Sequence, residues 1–135
     1  AAIAAKLLYP DRMVIAFAGN GCFQLTAQEM ATAVQYGADV IVIVCNNGVH
    51  GTIRMHQERE YPGREIATDL VDPDFAALAR AYGAHGETVR TTAEFAPAFE
   101  RAVASRKPAL IEVMMDKEAI SAGATLSQIR GKSRH

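Results

Sequence analysis

The stretch Ala16-Phe17-Ala18-Gly19-Asn20-Gly21-Cys22-Phe23 sets one amide side chain between two glycines, at the end of an apolar run. A second amide pair, Asn46-Asn47, closes another apolar run, and 27 residues separate Asn20 from Asn47. Gly19 and Gly21 let the backbone turn sharply and approach a ligand with no Cβ in the way. A helix beginning just beyond them would aim free N–H groups and a positive dipole end at the same spot, which favours phosphate. Two amide oxygens, with no basic residue in the loop, suit a hard cation bridging to that phosphate. Magnesium is the natural candidate, because it is commonly held by one or two side chains plus substrate phosphates. The loop lacks the Lys-Ser/Thr pair of a P-loop and the third glycine of the dinucleotide fingerprint. Gly-Asn-Gly and Asn-Asn-Gly are also ordinary turn compositions. The functional reading therefore rests on whether the two loops meet.

The elements around them say that they do. Met13 to Ala18 is a short apolar run, as expected of a strand buried on both faces. Ala27, Met30, Ala31 and Val34 then share one helical face, with Gly37 as the stop. Val40 to Cys45 is a second buried strand. This βαβ unit makes the two strands parallel and its crossover right-handed. Both strands then end on the same sheet edge, where open α/β sheets bind ligands. Downstream, Thr52 to Glu60 reads as a helix broken by Tyr61-Pro62-Gly63. Asp72 is the expected N-cap of a helix with Pro73 at its first position and Phe75, Leu78, Ala79 and Tyr82 on its inner face. A short strand follows near Thr88 to Arg90. The next helix spans about 94–105 with Phe95, Phe99, Ala102 and Val103 inward, and Pro97 must fall near its first turn. Leu110 to Met114 is the last buried strand, and 117–135 is a polar tail. The fold class is α/β: a three-layer, doubly wound, mainly parallel sheet with helices on both faces.

Bulk composition excludes several classes. The 135 residues suit one domain able to bury about two-thirds of its unfolded surface. Fourteen basic against fifteen acidic side chains give a net charge of −1, without the footprint of a nucleic-acid binder. No apolar segment approaches the ~18 residues of a membrane span. Cys22 and Cys45 read as two buried thiols in a reducing, cytoplasmic setting rather than as a disulfide. A zinc site from Cys22, Cys45, His50 and His56 lacks the close paired spacing of structural zinc. Residues 1–8 look like the last turns of a helix with no N-cap, so 1–135 is expected to be a single, N-terminally truncated domain of a longer protein.

Three further segments join the two loops in a recognisable pattern. Gly19-Asn20-Gly21-Cys22-Phe23 is followed by Gln28-Glu29-Met30-Ala31-Thr32-Ala33, then Asn46-Asn47 with Gly51-Thr52-Ile53. Pro73-Asp74-Phe75-Ala76-Ala77-Leu78-Ala79 and Pro108-Ala109-Leu110-Ile111-Glu112-Val113 continue it. Over nearly its whole length the chain resembles the diphosphate-binding domain of thiamine-diphosphate enzymes, in the acetolactate synthase and benzoylformate decarboxylase group. The resemblance implies Mg²⁺ held by Asn20, Asn47 and the carbonyl of Val49. Backbone N–H groups of Gly21, Cys22 and Gly51 would meet the diphosphate, with Gly19 and His50 completing the cofactor set.

Two departures stand out. Asn20 replaces the family's aspartate, one charge fewer beside a divalent ion, so Asn20→Asp is expected to tighten metal-dependent cofactor binding. His50 stands where close relatives often carry Tyr; it contacts the diphosphate, lines the substrate pocket, or is a partly exposed loop residue. The implied function is thiamine-diphosphate- and Mg²⁺-dependent decarboxylation and carboligation of a small 2-oxo acid, like acetolactate synthase. The alternatives are a non-ligating decarboxylase and a non-catalytic, degenerate cofactor-binding module. The family's activating glutamate comes from another domain, usually of a neighbouring subunit, so no catalytic residue is expected on this chain. Glu29, Glu58 and Glu60 read as solvated or packing charges. Partners would be N-terminal domains and a second subunit, in a homodimer or homotetramer. In Gly51 to Gly63, Arg54, His56 and Gln57 are the polar candidates for a substrate pocket, against a plain surface helix.

Overall fold

A computed structural model describes residues 1–121 and 123–132. Residues 122 and 133–135 of the expected tail lie outside it. The central sheet holds β1 (Ile15–Gly19), β2 (Ile41–Asn46), β3 (His85–Val89) and β4 (Ala109–Met114) in the order β1-β2-β4-β3, all parallel. Helices α1 (Ala2–Leu8), α2 (Asn20–Gln24), α3 (Glu29–Gln35), α4 (Gly51–Glu60), α5 (Phe75–Ala81) and α6 (Thr92–Ala104) fall between or before the strands.

The strand pleat divides the core. One face of β2 and β4, Val44 and Leu110, packs with Phe23, Met30, Phe75 and Ala79 from α2, α3 and α5. The other, Ile41, Ile43, Ala109 and Ile111, packs against Ala98 and Ala102 of α6. Helices therefore cover both faces, as the three-layer reading requires. Gly86 lets α5 lie close on β3, since a Cβ there would run into the Ala76 carbonyl oxygen.

Several details differ from the sequence reading. β1 is an edge strand, and α6 does not reach its second face. Phe17 is 74% exposed and Ile15 40%, so this strand is not buried on both sides. Ala31 is exposed, and Ala33 takes the buried place on α3 instead. The cap of α5 is Asp74, whose carboxylate accepts from Ala77 N at 2.7 Å, and not Asp72. The strand expected at 88–90 begins earlier, at His85. A capping box of Thr91 and Glu94 starts α6 at Thr92, which leaves Pro97 inside the helix, beyond its first turn. The helix survives because the carbonyl that Pro97 cannot serve belongs to the exposed Ala93, four residues back.

The tail is not unstructured. A small antiparallel pair, β5 (Ala119–Ser121) and β6 (Ala124–Thr125), leads into α7 (Leu126–Lys132). Leu126 is buried, and Arg130 reaches back to α4, where its Nε donates to Glu58 Oε2 at 2.7 Å and its Nη2 to Glu58 Oε1.

Candidate functional site

β1 and β2 run in register, Gly19 beside Cys45, so Asn20 and Asn46 leave the sheet side by side. A cavity of about 330 Å³ opens at this edge, lined by Gly19, Asn20, Gly21, Cys22, Asn47, Val49, His50 and Gly51. These are all eight residues of the expected cofactor set. The two loops meet.

Each loop divides its work. Asn46 is 4% exposed and structural: its Nδ2 donates to Glu112 Oε1 at 2.8 Å, and Gly48 N donates to its Oδ1 at 2.9 Å. Thr88 Oγ1 donates to Glu112 Oε2 at 2.8 Å, so one carboxylate ties the ends of β2, β3 and β4 together. Gly48 turns the chain at φ +68°, a conformation glycine adopts without strain. Asn47, between Asn46 and Gly48, faces the cavity. Its Oδ1 accepts from Val49 N at 3.3 Å, and an amide oxygen with two lone pairs keeps one free. Val49 forms an isolated antiparallel bridge with Asp69 in which the flanking Gly48 O and His50 N make the hydrogen bonds. The Val49 carbonyl is therefore turned away from that neighbour.

Asn20 is 2% exposed, and its Nδ2 donates to Asp72 Oδ2 at 2.7 Å. With the nitrogen so engaged, Oδ1 is the atom left to offer to the cavity. The 10-residue α4 begins at Gly51 and the short α2 at Asn20, and neither helix start has a side-chain cap. Their first N–H groups remain available to an anion. The dipole argument rests on α4, because α2 has only 5 residues.

Two glycines lie where side chains would not fit. A Cβ on Gly21 would stand 2.7 Å from His50 Cε1 and Nδ1; on Gly51 it would stand 2.7 Å from Ile120 Cδ1 and 3.1 Å from Asn47 Nδ2. The His50 ring thus packs over Gly21, half-buried at the wall of the cavity. No Asp, Glu, Lys or Arg lines this space. Cys22 and Cys45 do; both are free thiols, Cys22 exposed and Cys45 half-buried, contrary to the expectation of two buried ones. Among the described residues no group of three or more His, Cys, Asp or Glu side chains is placed to hold a metal. The donor set is amide, carbonyl and backbone N–H. It fits a diphosphate bridged by a hard cation, with Asn20, Asn47 and Val49 as the oxygen donors.

Residues 1–113 match the family described as "Thiamine pyrophosphate enzyme, C-terminal TPP binding domain". The chain belongs to this family. The thiamine-pyrophosphate domain is 35% identical over 120 residues to an acetolactate synthase of Arthrospira platensis, covering 87% of this chain and 21% of that protein. It is 34% identical to the mitochondrial acetolactate synthase catalytic subunit of Saccharomyces cerevisiae, over 87% of this chain and 17% of that one. Among solved structures, the thiamine diphosphate-dependent 4-hydroxybenzoylformate decarboxylase of Rhodococcus jostii RHA1 superposes with a TM-score of 0.80 at 36% identity. That match covers 85% of this chain and 22% of the decarboxylase chain. The domain thus spans under a quarter of the length of these relatives.

The polar candidates of α4 do not join the site. Arg54 is bound by Glu58 at 3.0 Å, Glu65 at 3.0 Å and Thr68 at 3.2 Å. Gln57 exchanges two hydrogen bonds with the backbone of Ile66, and His56 pairs with Arg59. All three serve the helix and its neighbouring loop. Sequence reasoning missed Asp72, assigned to a cap, and the tail residues Met115, Ala119 and Ile120 that close one side of the cavity.

Proposed function

We propose that this domain anchors thiamine diphosphate through Mg²⁺ in an enzyme that decarboxylates a small 2-oxo acid and joins the product to a second carbonyl, a reading supported by its similarity to acetolactate synthases. The observation that carries this reading is the convergence of Asn20, Asn47 and the Val49 carbonyl on one cavity with the uncapped start of α4. Thiamine diphosphate, when bound, supplies the carbon nucleophile and electron sink that loss of CO₂ from a 2-oxo acid requires. The residues of this chain hold and orient. Amide and carbonyl oxygens take the cation, backbone N–H groups of Gly21, Cys22 and Gly51 take the diphosphate oxygens, and His50 shields the loop from water.

Among the described residues no acidic side chain lines the cavity, which supports placing the activating glutamate on another domain, in an oligomer that we expect to be a homodimer or homotetramer. The two free thiols support a reducing, cytoplasmic setting. Calorimetry on the complete protein tests the anchor: thiamine diphosphate binds with Mg²⁺ present and is released by a chelator. Binding indifferent to Mg²⁺, or no binding, would sink the reading. The likeness to a 4-hydroxybenzoylformate decarboxylase favours a second reading, simple decarboxylation. Product analysis separates the two: acetolactate from pyruvate supports carboligation, and an aldehyde alone supports the second.

A further inference from the structure

We infer that Asp72 is a positioning residue for Asn20: it fixes which end of the Asn20 amide faces the metal and supplies, one hydrogen bond behind the ligand, the negative charge the amide lacks. The inference rests on the metal-anchor reading above.

An amide side chain has two orientations that differ by exchange of O and N, and only its hydrogen-bond partners choose between them. An ionised carboxylate accepts and cannot donate. Asp72 Oδ2, 2.7 Å from the Asn20 side chain, therefore requires the nitrogen on its own side. The oxygen is left for the cavity. Without Asp72 the buried amide could turn over and present N–H to a cation, which no cation accepts as a ligand. Asp72 is itself held: Gln24 Nε2 donates to its other oxygen, Oδ1, at 2.7 Å. Asn20 lines the cofactor cavity and Asp72 does not, so the carboxylate stands behind the ligand and not beside it.

Charge adds to orientation. A hydrogen bond to a carboxylate draws the amide N–H outward and enriches the oxygen, and such polarisation is stronger away from bulk water. The aspartate that the family carries as the ligand is here divided into an amide ligand and a carboxylate one step back. The expectation for Asn20→Asp changes accordingly. That variant would set two carboxylates at the spacing now closed by a hydrogen bond, and like charges so close oppose one another. The single substitution is no longer expected to tighten metal binding. The exchange Asn20→Asp with Asp72→Asn restores the hydrogen bond with its direction reversed and places the full charge on the ligand.

The test is a cycle of four complete proteins: wild type, Asn20→Asp, Asp72→Asn and the exchange. For each, the Mg²⁺ concentration giving half-saturation with thiamine diphosphate is measured by calorimetry, and the cofactor-free melting temperature by scanning fluorimetry. Each single variant is expected to need about tenfold more Mg²⁺, and the exchange to return within about threefold of wild type, a coupling of the size found for residues in contact. If Asn20→Asp fails to fold while the exchange folds and binds, the pairing is supported as well. Independent effects, or tightening by Asn20→Asp with Asp72 intact, would overturn the assignment and leave the metal anchor standing. A wild-type protein that binds no cofactor with Mg²⁺ would instead remove the anchor, and this inference with it.

Discussion

Two polar clusters on either end of α4 are built on opposite plans. At its C-terminal half, Glu58 is fully buried, and both its oxygens are taken by the guanidinium groups of Arg54 and Arg130. Charge is met by charge and nothing is left over on that carboxylate. At its N-terminus, Asn20, Asn47 and Val49 each satisfy one polar group from the protein and keep another pointed at a cavity. The first cluster is a structural tie between α4 and α7. The second lines the cavity to which we assign the cofactor's metal and diphosphate. Glu65 of the first cluster also keeps a buried oxygen, Oε2, without a hydrogen bond, so what sets the second cluster apart is that its spare polar atoms lie at a cavity.

The comparison breaks most visibly at Glu58. Glu58→Ala leaves two guanidinium groups without their shared carboxylate, and losing one partner of a buried pair costs about 3 kcal/mol. Arg54 keeps Glu65, which moderates the effect. Urea unfolding of the complete protein should show that loss, with Mg²⁺-dependent cofactor affinity little changed. A loss below ~1 kcal/mol would show the cluster to be surface decoration.

Acid sharpens the same contrast. Hydrogen bonds from Arg130, then from Arg54, hold the Glu58 carboxyl at about 2, well below its ordinary 4.5 and against the burial that would raise it. A carboxyl whose folded pKa is depressed stabilises the fold above its unfolded pKa and loses that contribution as pH falls through the folded value. The gap between wild type and Glu58→Ala, roughly 3 kcal/mol at pH 6, should shrink to half or less by pH 3 and vanish below pH 2. Carboxylates remote from Glu58 are common to both proteins, so only the difference is diagnostic. The cavity donors themselves carry no ionisable carboxyl.

At the open cluster the informative change is Gly51→Ala. The added Cβ would stand 3.1 Å from Asn47 Nδ2 and 2.7 Å from Ile120 Cδ1. The isoleucine end can swing aside; the asparagine cannot move without shifting the amide that the proposed metal anchor uses. We expect about a tenfold loss of Mg²⁺-dependent thiamine diphosphate affinity, about 1.4 kcal/mol, read by calorimetry. Unchanged affinity would mean that Asn47 is not held where a ligand needs it.

The open cluster was legible in the sequence and the closed one was not, for a physical reason. Glycines and amides at strand ends are local signals, and parallel topology alone brings them together. Glu58 and Arg130 lie 72 residues apart, and their meeting depends on a turn of chain read as a polar tail. The apolar run at Met13 to Ala18 misled in another way. It encodes a strand meant to be covered on both faces, yet α6 spans only β2, β3 and β4, so Ile15 and Phe17 stay exposed at the edge. A run of hydrophobic residues records how much cover a strand needs, not where in the sheet it sits.

The smallest expected effect separates two carboxylates that the sequence offers as near equals. Asp74 caps α5 by accepting from Ala77 N at 2.7 Å, whereas Asp72 accepts from two side chains and no helix N–H. Loss of a cap costs about 1 kcal/mol. Asp74→Ala should therefore lower the unfolding free energy by about that amount and leave the Mg²⁺ requirement for cofactor unchanged. Asp72→Ala should instead raise the Mg²⁺ requirement, and its cost in stability falls on the buried Asn20 amide it leaves unpaired and not on a helix start. Urea midpoints and Mg²⁺ titrations on the same pair of variants read both quantities. Equal profiles for the two would mean that Asp72 is only another structural charge, and that the boundary between the closed and open clusters lies nearer the cavity than the geometry places it.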